Sequence, residues 1–178
     1  MNEPKRALLL GGTGAMGVYL TEELLARGYH VDVVSLDDAV SARPDLRYLR
    51  ADLTSDEALA PILEKSYDAI VDFLIYRPAA FQSRLPMLLD RCDQLIFLSS
   101  YRVYAGQSPV RETSPRLLDV SDDKPYLAEA DNEYSLYKAR EEDMLRASGR
   151  GNWTIIRPSI TFSRHKFQLV TLEAQCVV

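Results

Sequence analysis

Ala7-Leu8-Leu9-Leu10-Gly11-Gly12-Thr13-Gly14-Ala15-Met16-Gly17 joins a four-residue apolar run to a glycine cluster, and that join decides the fold. The run is short, continuous and bounded by glycine, which fits a strand buried on both faces of a parallel sheet. Beyond the glycines, Leu20, Leu24 and Leu25 fall on one helical face, and Gly28 supplies a stop. A strand that feeds a helix through Gly11-x-x-Gly14-x-x-Gly17 aims backbone N–H groups and a positive helix end at one point, which suits phosphate. Glycine permits the tight turn and the close approach of a pyrophosphate, and Gly17 is expected to let the helix sit close on the sheet. An ordinary glycine-rich turn is the plainer alternative, but the strand–turn–helix context favours a dinucleotide.

Strand-like and helix-like patterns alternate along the rest of the chain. Residues 31–36 read as a second strand and 46–49 as a weaker third; Ser55 opens a helix with Asp56 and Glu57 in its first turn. Residues 69–75 form the fourth strand, and a helix over about 79–91 comes next, with Pro86 in its interior expected to kink it. Residues 95–98 are the fifth strand, ending in Ser99-Ser100, and residues 105–130, rich in Pro, Asp and Ser, read as surface loop. A helix over roughly 132–147 stops at Gly149 and Gly151, and Trp153-Thr154-Ile155-Ile156 is the sixth strand, halted by Arg157-Pro158. Alternation of this kind gives an α/β fold: a Rossmann-type doubly wound parallel sheet with helices on both faces, right-handed crossovers and strand order 3-2-1-4-5-6.

The bulk properties narrow the function. The chain has 178 residues, 47% hydrophobic and 26% charged, which is one well-buried domain rather than a disordered chain. A net charge of −5 favours neither nucleic acid nor an acidic membrane surface, and no apolar run approaches a membrane span. Ala7 to Leu10 after Lys5-Arg6 is too short for a signal-peptide core. Cys92 and Cys176 match no metal or redox spacing and read as reduced thiols of a cytoplasmic protein. His30 and His165 have no neighbouring second ligand, so no metal is expected; Trp153 reads as core packing.

The tip of the second strand discriminates the cofactor. It reads Ser35-Leu36-Asp37-Asp38, with Arg43 the nearest cation along the chain. A carboxylate bonds ribose hydroxyls and repels a 2′-phosphate, so NAD is expected over NADP; a solvated turn is the plainer alternative for Asp37 and Asp38. Asp52 either meets the adenine amino group or caps the next helix. Late in the chain, Tyr134 and Lys138 are four apart on a helix and share a face. At ~5 Å and an effective dielectric of about 20, an ammonium favours a phenolate by roughly 3 kcal/mol, about two pKa units, which makes a useful general base. Tyr137 is not equivalent, because its i+4 neighbour is Glu141. Ser100, at the end of the fifth strand, falls on the same sheet edge and can hold a substrate oxygen; a strand-end turn is the plainer reading of Ser99 and Ser100.

Gly11 to Gly17, Asp52-Leu53, Ser99-Ser100-Tyr101-Arg102-Val103-Tyr104, Tyr134 to Lys138 and Arg157-Pro158 together resemble the extended short-chain dehydrogenase/reductase family, the NAD-dependent epimerase/dehydratase group. The resemblance implies a nicotinamide across the strand ends and a small-molecule substrate such as a nucleotide sugar. Tyr134 would be the base, Lys138 its partner and a ribose ligand, and Ser100 the orienting hydroxyl. The implied cofactor contacts are Gly11, Thr13, Gly14, Ala15, Met16, Gly17, Ser35, Asp37, Asp52, Leu53, Phe73, Leu74, Ser99, Tyr134, Lys138, Pro158 and Ile160. Family dehydratases carry Asp-Glu after the catalytic Ser/Thr; Tyr101-Arg102 stands there instead, which leaves an epimerase or oxidoreductase. Family members are roughly twice as long as their core, so residues 1–163 are expected to form the dinucleotide-binding domain and 164–178 the start of a substrate-binding part that is mostly absent. Leu169, Val170 and Leu172 would then need a covering partner, with a homodimer as the candidate assembly. Arg164-His165-Lys166 is either a phosphate contact or a solvated loop. A cofactor-binding, redox-sensing module without its own catalysis is the alternative function.

Overall fold

Parallel pairing buries Leu8, Leu9 and Leu10 completely, as their continuous apolar run requires. The computed structural model describes residues 3–129, 132–159 and 161. In chain order its elements are β1 (Arg6–Leu10), α1 (Gly17–Ala26), β2 (His30–Ser35), β3 (Leu46–Arg50), α2 (Asp56–Leu59), β4 (Tyr67–Asp72), α3 (Pro78–Leu89), β5 (Cys92–Leu98), α4 (Leu117–Val120), α5 (Lys124–Ala128), α6 (Tyr134–Ala147) and β6 (Trp153–Ile156). All six strands pair in parallel in the order β3-β2-β1-β4-β5-β6, the Rossmann-type order read from the sequence.

Alternation along the strands divides the core. Leu8, Leu10, Ile70, Leu95 and Phe97 face α3 and α6, meeting Phe81, Leu85, Leu88 and Leu145. Leu9, Val31, Val33 and Val71 face the other way and meet Leu20, Leu24 and Leu25 of α1. Helices therefore cover both faces, and all six strand C-termini open on one edge.

Several boundaries differ from the sequence reading, each for a local reason. β4 stops at Asp72, whose Oδ1 accepts a hydrogen bond from Leu74 N at 3.0 Å and turns the chain. α6 begins at Tyr134 because the Glu133 carboxylate accepts from Ser135 N at 2.7 Å and Leu136 N at 3.3 Å, so an unusual capping residue displaces the expected start near Asn132. α3 continues past Pro86 to Leu89. The carbonyl that Pro86 leaves unbonded is that of Gln82, and both residues are exposed, so water can satisfy it. The expected surface loop contains the single-turn helices α4 and α5, too short to leave a periodic pattern. Residues 164–178, the expected start of a second part, lie outside the described residues, as do Cys176 and His165.

The glycine turn has a definite steric logic. Gly11 has φ of +76°, open to glycine at little cost. A Cβ on Gly17 would lie 2.2 Å from Gly12 O and 2.6 Å from Gly12 Cα. The close contact that Gly17 permits is thus between the helix start and the turn backbone, not between helix and sheet as expected. Gly12 makes the sheet contact: its Cβ would sit 2.7 Å from Leu9 Cβ and 2.9 Å from Val33 Cγ1. At Gly14 an added Cβ meets only Gly11 O, at 3.7 Å. Gly17→Ala is expected to lose about 1–3 kcal/mol or more, the usual range for overpacking, and Gly14→Ala to melt close to the unmodified chain; thermal unfolding of the two variants side by side checks this.

Candidate functional site

Two clefts meet at Gly11, Leu74 and Ile75 along the C-terminal edge of the sheet. The larger, about 520 Å³, is lined by Thr13, Ser35, Asp37, Asp52 and Leu53, among others. The smaller, about 270 Å³, is lined by Gly14, Ala15, Met16, Gly17, Phe73, Ser99, Ser100, Tyr134, Lys138 and Pro158, with Ser159 and Thr161. Every site residue expected from the sequence therefore borders one of the two, except Ile160, which lies outside the described residues. The glycine turn stands between them.

Within the larger cleft, Asp52 accepts from Thr54 N at 2.9 Å, and this backbone hydrogen bond holds its carboxyl below the usual range. It closes a turn rather than capping α2, whose N-cap is Ser55. Asp37 is exposed at the rim, its N–H donating to Ser35 Oγ at 3.1 Å. The nearest cation to this tip is Arg50, not Arg43. Parallel register sets Arg50 beside Ser35, and its guanidinium reaches both Asp38 oxygens at 2.9 and 3.0 Å. Arg43 instead pairs with Asp45. Sequence reasoning missed Arg84 altogether. Its side chain is buried, it donates to Leu53 O at 2.7 Å and Asp56 Oδ1 at 2.8 Å, and it lies 4.9 Å from the Tyr76 ring centroid. It clamps the loop after β3 to α3.

In the smaller cleft, α6 brings Tyr134 and Lys138 to one wall, as four-residue spacing requires. Tyr134 is half-buried, its ring 5.4 Å edge-on from Tyr137 and 5.6 Å from the Arg102 guanidinium. Burial raises the Tyr137 phenol, and Tyr134 and Glu141 push the same way. Lys138 is fully buried, with Nζ 4.5 Å from the Phe97 ring centroid and 2.9 Å from Glu141 Oε2. The close partner the structure gives this ammonium is a carboxylate, where the sequence assigns it the Tyr134 phenol. That ion pair is close in distance but off hydrogen-bond geometry, so Nζ has no hydrogen-bond acceptor.

Asp72 lies buried at the end of β4, accepting from Leu74 N and, at 3.1 Å, from the Tyr76 hydroxyl. Burial pushes its carboxyl up to about 6 against those bonds and the pull of Lys138 and Arg84. Burial raises Glu141 too, outweighing Lys138. Ser100 Oγ accepts from Arg102 N at 3.2 Å, which leaves its own proton free to donate into the cleft. Ser99 differs: its hydroxyl donates to Glu142 Oε1 at 2.7 Å.

Glu142 is the residue on which the motif residues converge. It is fully buried, yet Arg157 donates to both its oxygens at 2.7 and 2.6 Å, and Arg116 and Arg146 each reach Oε2 at 3.3 Å. Burial alone would raise this carboxyl; hydrogen bonds from Arg157 and Ser99 reverse that, and it sits below the usual range. Arg157 also donates to the Tyr104 hydroxyl at 2.7 Å. The Ser-Ser-x-x-Val-Tyr and Arg-Pro segments are therefore joined through α6.

The site fits a nicotinamide dinucleotide on two observations. The turn is uncrowded at Gly14, where an added Cβ meets only Gly11 O at 3.7 Å, and Lys138 Nζ is a buried cation on the cleft wall with donors to spare, beyond its pairing with Glu141, for a ribose hydroxyl. Among the described residues no cluster of His, Cys, Asp and Glu could hold a metal ion, and no helix is long and apolar enough to cross a membrane.

Comparison with known proteins agrees with this geometry. The model of the NAD dependent epimerase/dehydratase family matches residues 7–171. Human sterol-4-alpha-carboxylate 3-dehydrogenase, decarboxylating, is 38% identical over 63 residues, covering 35% of this chain and 17% of that protein. The Bordetella bronchiseptica enzyme WbmH, solved in complex with NAD+, superposes with a TM-score of 0.66 at 18% identity, over 87% of this chain and 56% of its own. A UDP-galactose 4-epimerase gives a TM-score of 0.62 at 22% identity, over 85% of this chain and 55% of its own. The chain spans about half the length of these solved structures, and at such identity they share its fold.

Two outcomes are expected. Glu142→Ala leaves Arg157 and Arg116, both largely buried, without their shared acid, and should cost about 3–5 kcal/mol in urea unfolding, the range for breaking a buried ion pair. Below about pH 6 the folded chain keeps a proton on Asp72 that the unfolded chain releases above the ordinary carboxylate range. That contribution to stability is present in mild acid and is lost as pH rises through about 6. Melting temperature should therefore fall between about pH 5 and about pH 8, and Asp72→Asn, which retains an acceptor oxygen for Leu74 N, should flatten the fall.

Proposed function

The chain belongs to the NAD-dependent epimerase/dehydratase family, and from that premise we propose that it is an NAD-dependent epimerase or oxidoreductase acting on a hydroxyl of a nucleotide sugar. One observation carries the proposal: Tyr134, Lys138 and Ser100 border the same cleft as the glycine turn. The UDP-galactose 4-epimerase and the NAD+ complex among its structural neighbours support the choice of substrate and cofactor class. Tyr101 and Arg102, in the places where family dehydratases carry Asp-Glu, count against dehydration.

In this proposal the Gly11–Gly17 turn receives the pyrophosphate through backbone N–H groups. Asp37 and Ser35 meet the adenosine ribose, with Asp52 and Leu53 beside the adenine. Arg50 lies near but is already paired with Asp38, which supports NAD over NADP. Lys138 Nζ supplies hydrogen bonds to the second ribose, while Phe73, Leu74, Ser99 and Pro158 flank the nicotinamide. When bound, the nicotinamide supplies the acceptor and donor of hydride. Ser100 Oγ donates to the substrate oxygen and fixes its direction. Tyr134 Oη takes the hydroxyl proton as the carbon is oxidised and returns it on reduction. The proposed setting is the cytoplasm, where a buried thiol such as that of Cys92 stays reduced.

NADH fluorescence titration should show binding to this chain. Tyr134→Phe should keep that affinity while turnover of a nucleotide sugar falls by about 10²-fold or more, the scale of general acid–base catalysis. Normal turnover by the variant would remove Tyr134 from the chemistry, and cofactor binding without turnover by the unmodified chain would mark a binding module instead.

A further inference from the structure

We propose that Arg102 binds an anionic group of the substrate, a carboxylate or a phosphate, carried close to the hydroxyl that reacts. This rests on the placing of Tyr134 and Ser100 at the reacting oxygen. Arg102 neighbours both residues, the one through its backbone and the other through its side chain. Its backbone N–H donates to Ser100 Oγ at 3.2 Å, and its guanidinium lies 5.6 Å from the centroid of the Tyr134 ring. A substrate oxygen held between those two residues therefore sits beside a planar cation.

The neighbouring arginines are committed elsewhere. Arg157 is bound to Glu142 and Tyr104, Arg116 to Asp119, Asp143 and Glu142, and Arg77 donates to Asn132 Oδ1 at 3.0 Å. Arg102 differs. Its side chain is 57% exposed, and its acidic neighbour is Glu133 Oε1, at 3.8 Å. Glu133 cannot readily close that gap, because its other oxygen caps α6 through Ser135 and Leu136. Moving it would uncap the helix that carries Tyr134. The guanidinium is thus oriented by a ring and a distant carboxylate, with its forked donors open to a ligand. That geometry suits carboxylate or phosphate, which the fork meets with two parallel bonds.

The surroundings sharpen the need for this cation. The chain carries a net charge of −5, and Asp72 and Glu141 are buried beneath the cleft. Lys138 is already paired with Glu141, so Arg102 is an exposed cation beside Tyr134 on which a substrate anion can settle, and a neutral substrate would gain nothing from it.

Isothermal titration of the NAD+-saturated chain tests this with three probes. Tartronate carries carboxylates next to a hydroxyl, inorganic pyrophosphate represents the phosphate source, and glycerol is the neutral control. At least one anion should bind the unmodified chain, and Arg102→Gln should weaken it by about tenfold or more, as expected for a charge-assisted hydrogen bond. Glycerol binding should not change. Arg102→Lys, which keeps charge but not the fork, should fall between. A loss confined to tartronate assigns a carboxylate; a loss confined to pyrophosphate assigns a phosphate. Equal anion affinity in the unmodified chain and Arg102→Gln, or no anion binding at all, overturns the proposal. Repeating the titrations without NAD+ separates the two proposals. Anion binding that depends on Arg102 in a chain that does not bind NAD+ would refute the cofactor assignment while upholding this one.

Discussion

A carboxylate with no water around it organises this molecule. Isolated, the buried Glu142 would be prohibitively costly as an anion. It persists because Ser99 at the end of β5, Arg157 at the end of β6, Arg116 before α4 and Arg146 on its own helix all converge on it. Three of those groups come from segments outside α6, so satisfying one acid fixes three pieces of backbone relative to that helix. The wall carrying Tyr134 and Lys138 is thereby held in register with the strand end carrying Ser100. The precision of the candidate site derives from a residue that does not border its cleft.

The residue before it on α6 meets the opposite fate. Glu141 is equally buried, but among the described residues its close cation is Lys138, and it also feels the charge of Asp72. Arginines hold Glu142 ionised, whereas burial dominates Glu141. Adjacent positions on a helix point about 100° apart, so two glutamates side by side in sequence enter different environments. One serves as a structural anchor. The other makes the ammonium beneath the candidate site part of a compact cluster with Asp72 rather than a lone charge.

Much of this is legible in the sequence because the fold depends on patterns of short range. The apolar run at Leu8–Leu10, the glycine spacing and the leucines of α1 each encode one local decision, and the strand order comes from their succession. The cleft-lining residues can be named because they sit at strand ends, where motif and topology coincide. Contact between distant segments escapes such a reading. Nothing near Arg50 in the sequence says that parallel register will set it against Asp38, and nothing near Arg84 announces that it will be buried beneath Tyr76 and bonded to Leu53 O. Glu133 as the cap of α6 is equally hidden, since glutamate is a poor predictor of helix starts. The motifs holding Tyr104 and Arg157 are recognisable, but their common acid is not, because the pairing closes only when β5, β6 and α6 assemble.

Strand order also dictates how the chain emerges during synthesis. β1, β2 and β3 are complete once Arg50 is made, yet the other side of β1 waits for β4, which ends at Asp72. At roughly 5–20 residues per second, the central strand stands half-paired for an interval on the order of seconds. Its open edge is the apolar stretch Ala7–Leu10, the kind of row on which nascent chains associate. With β1 made early and its second neighbour late, that apolar edge stays open until the chain has been synthesised through Asp72.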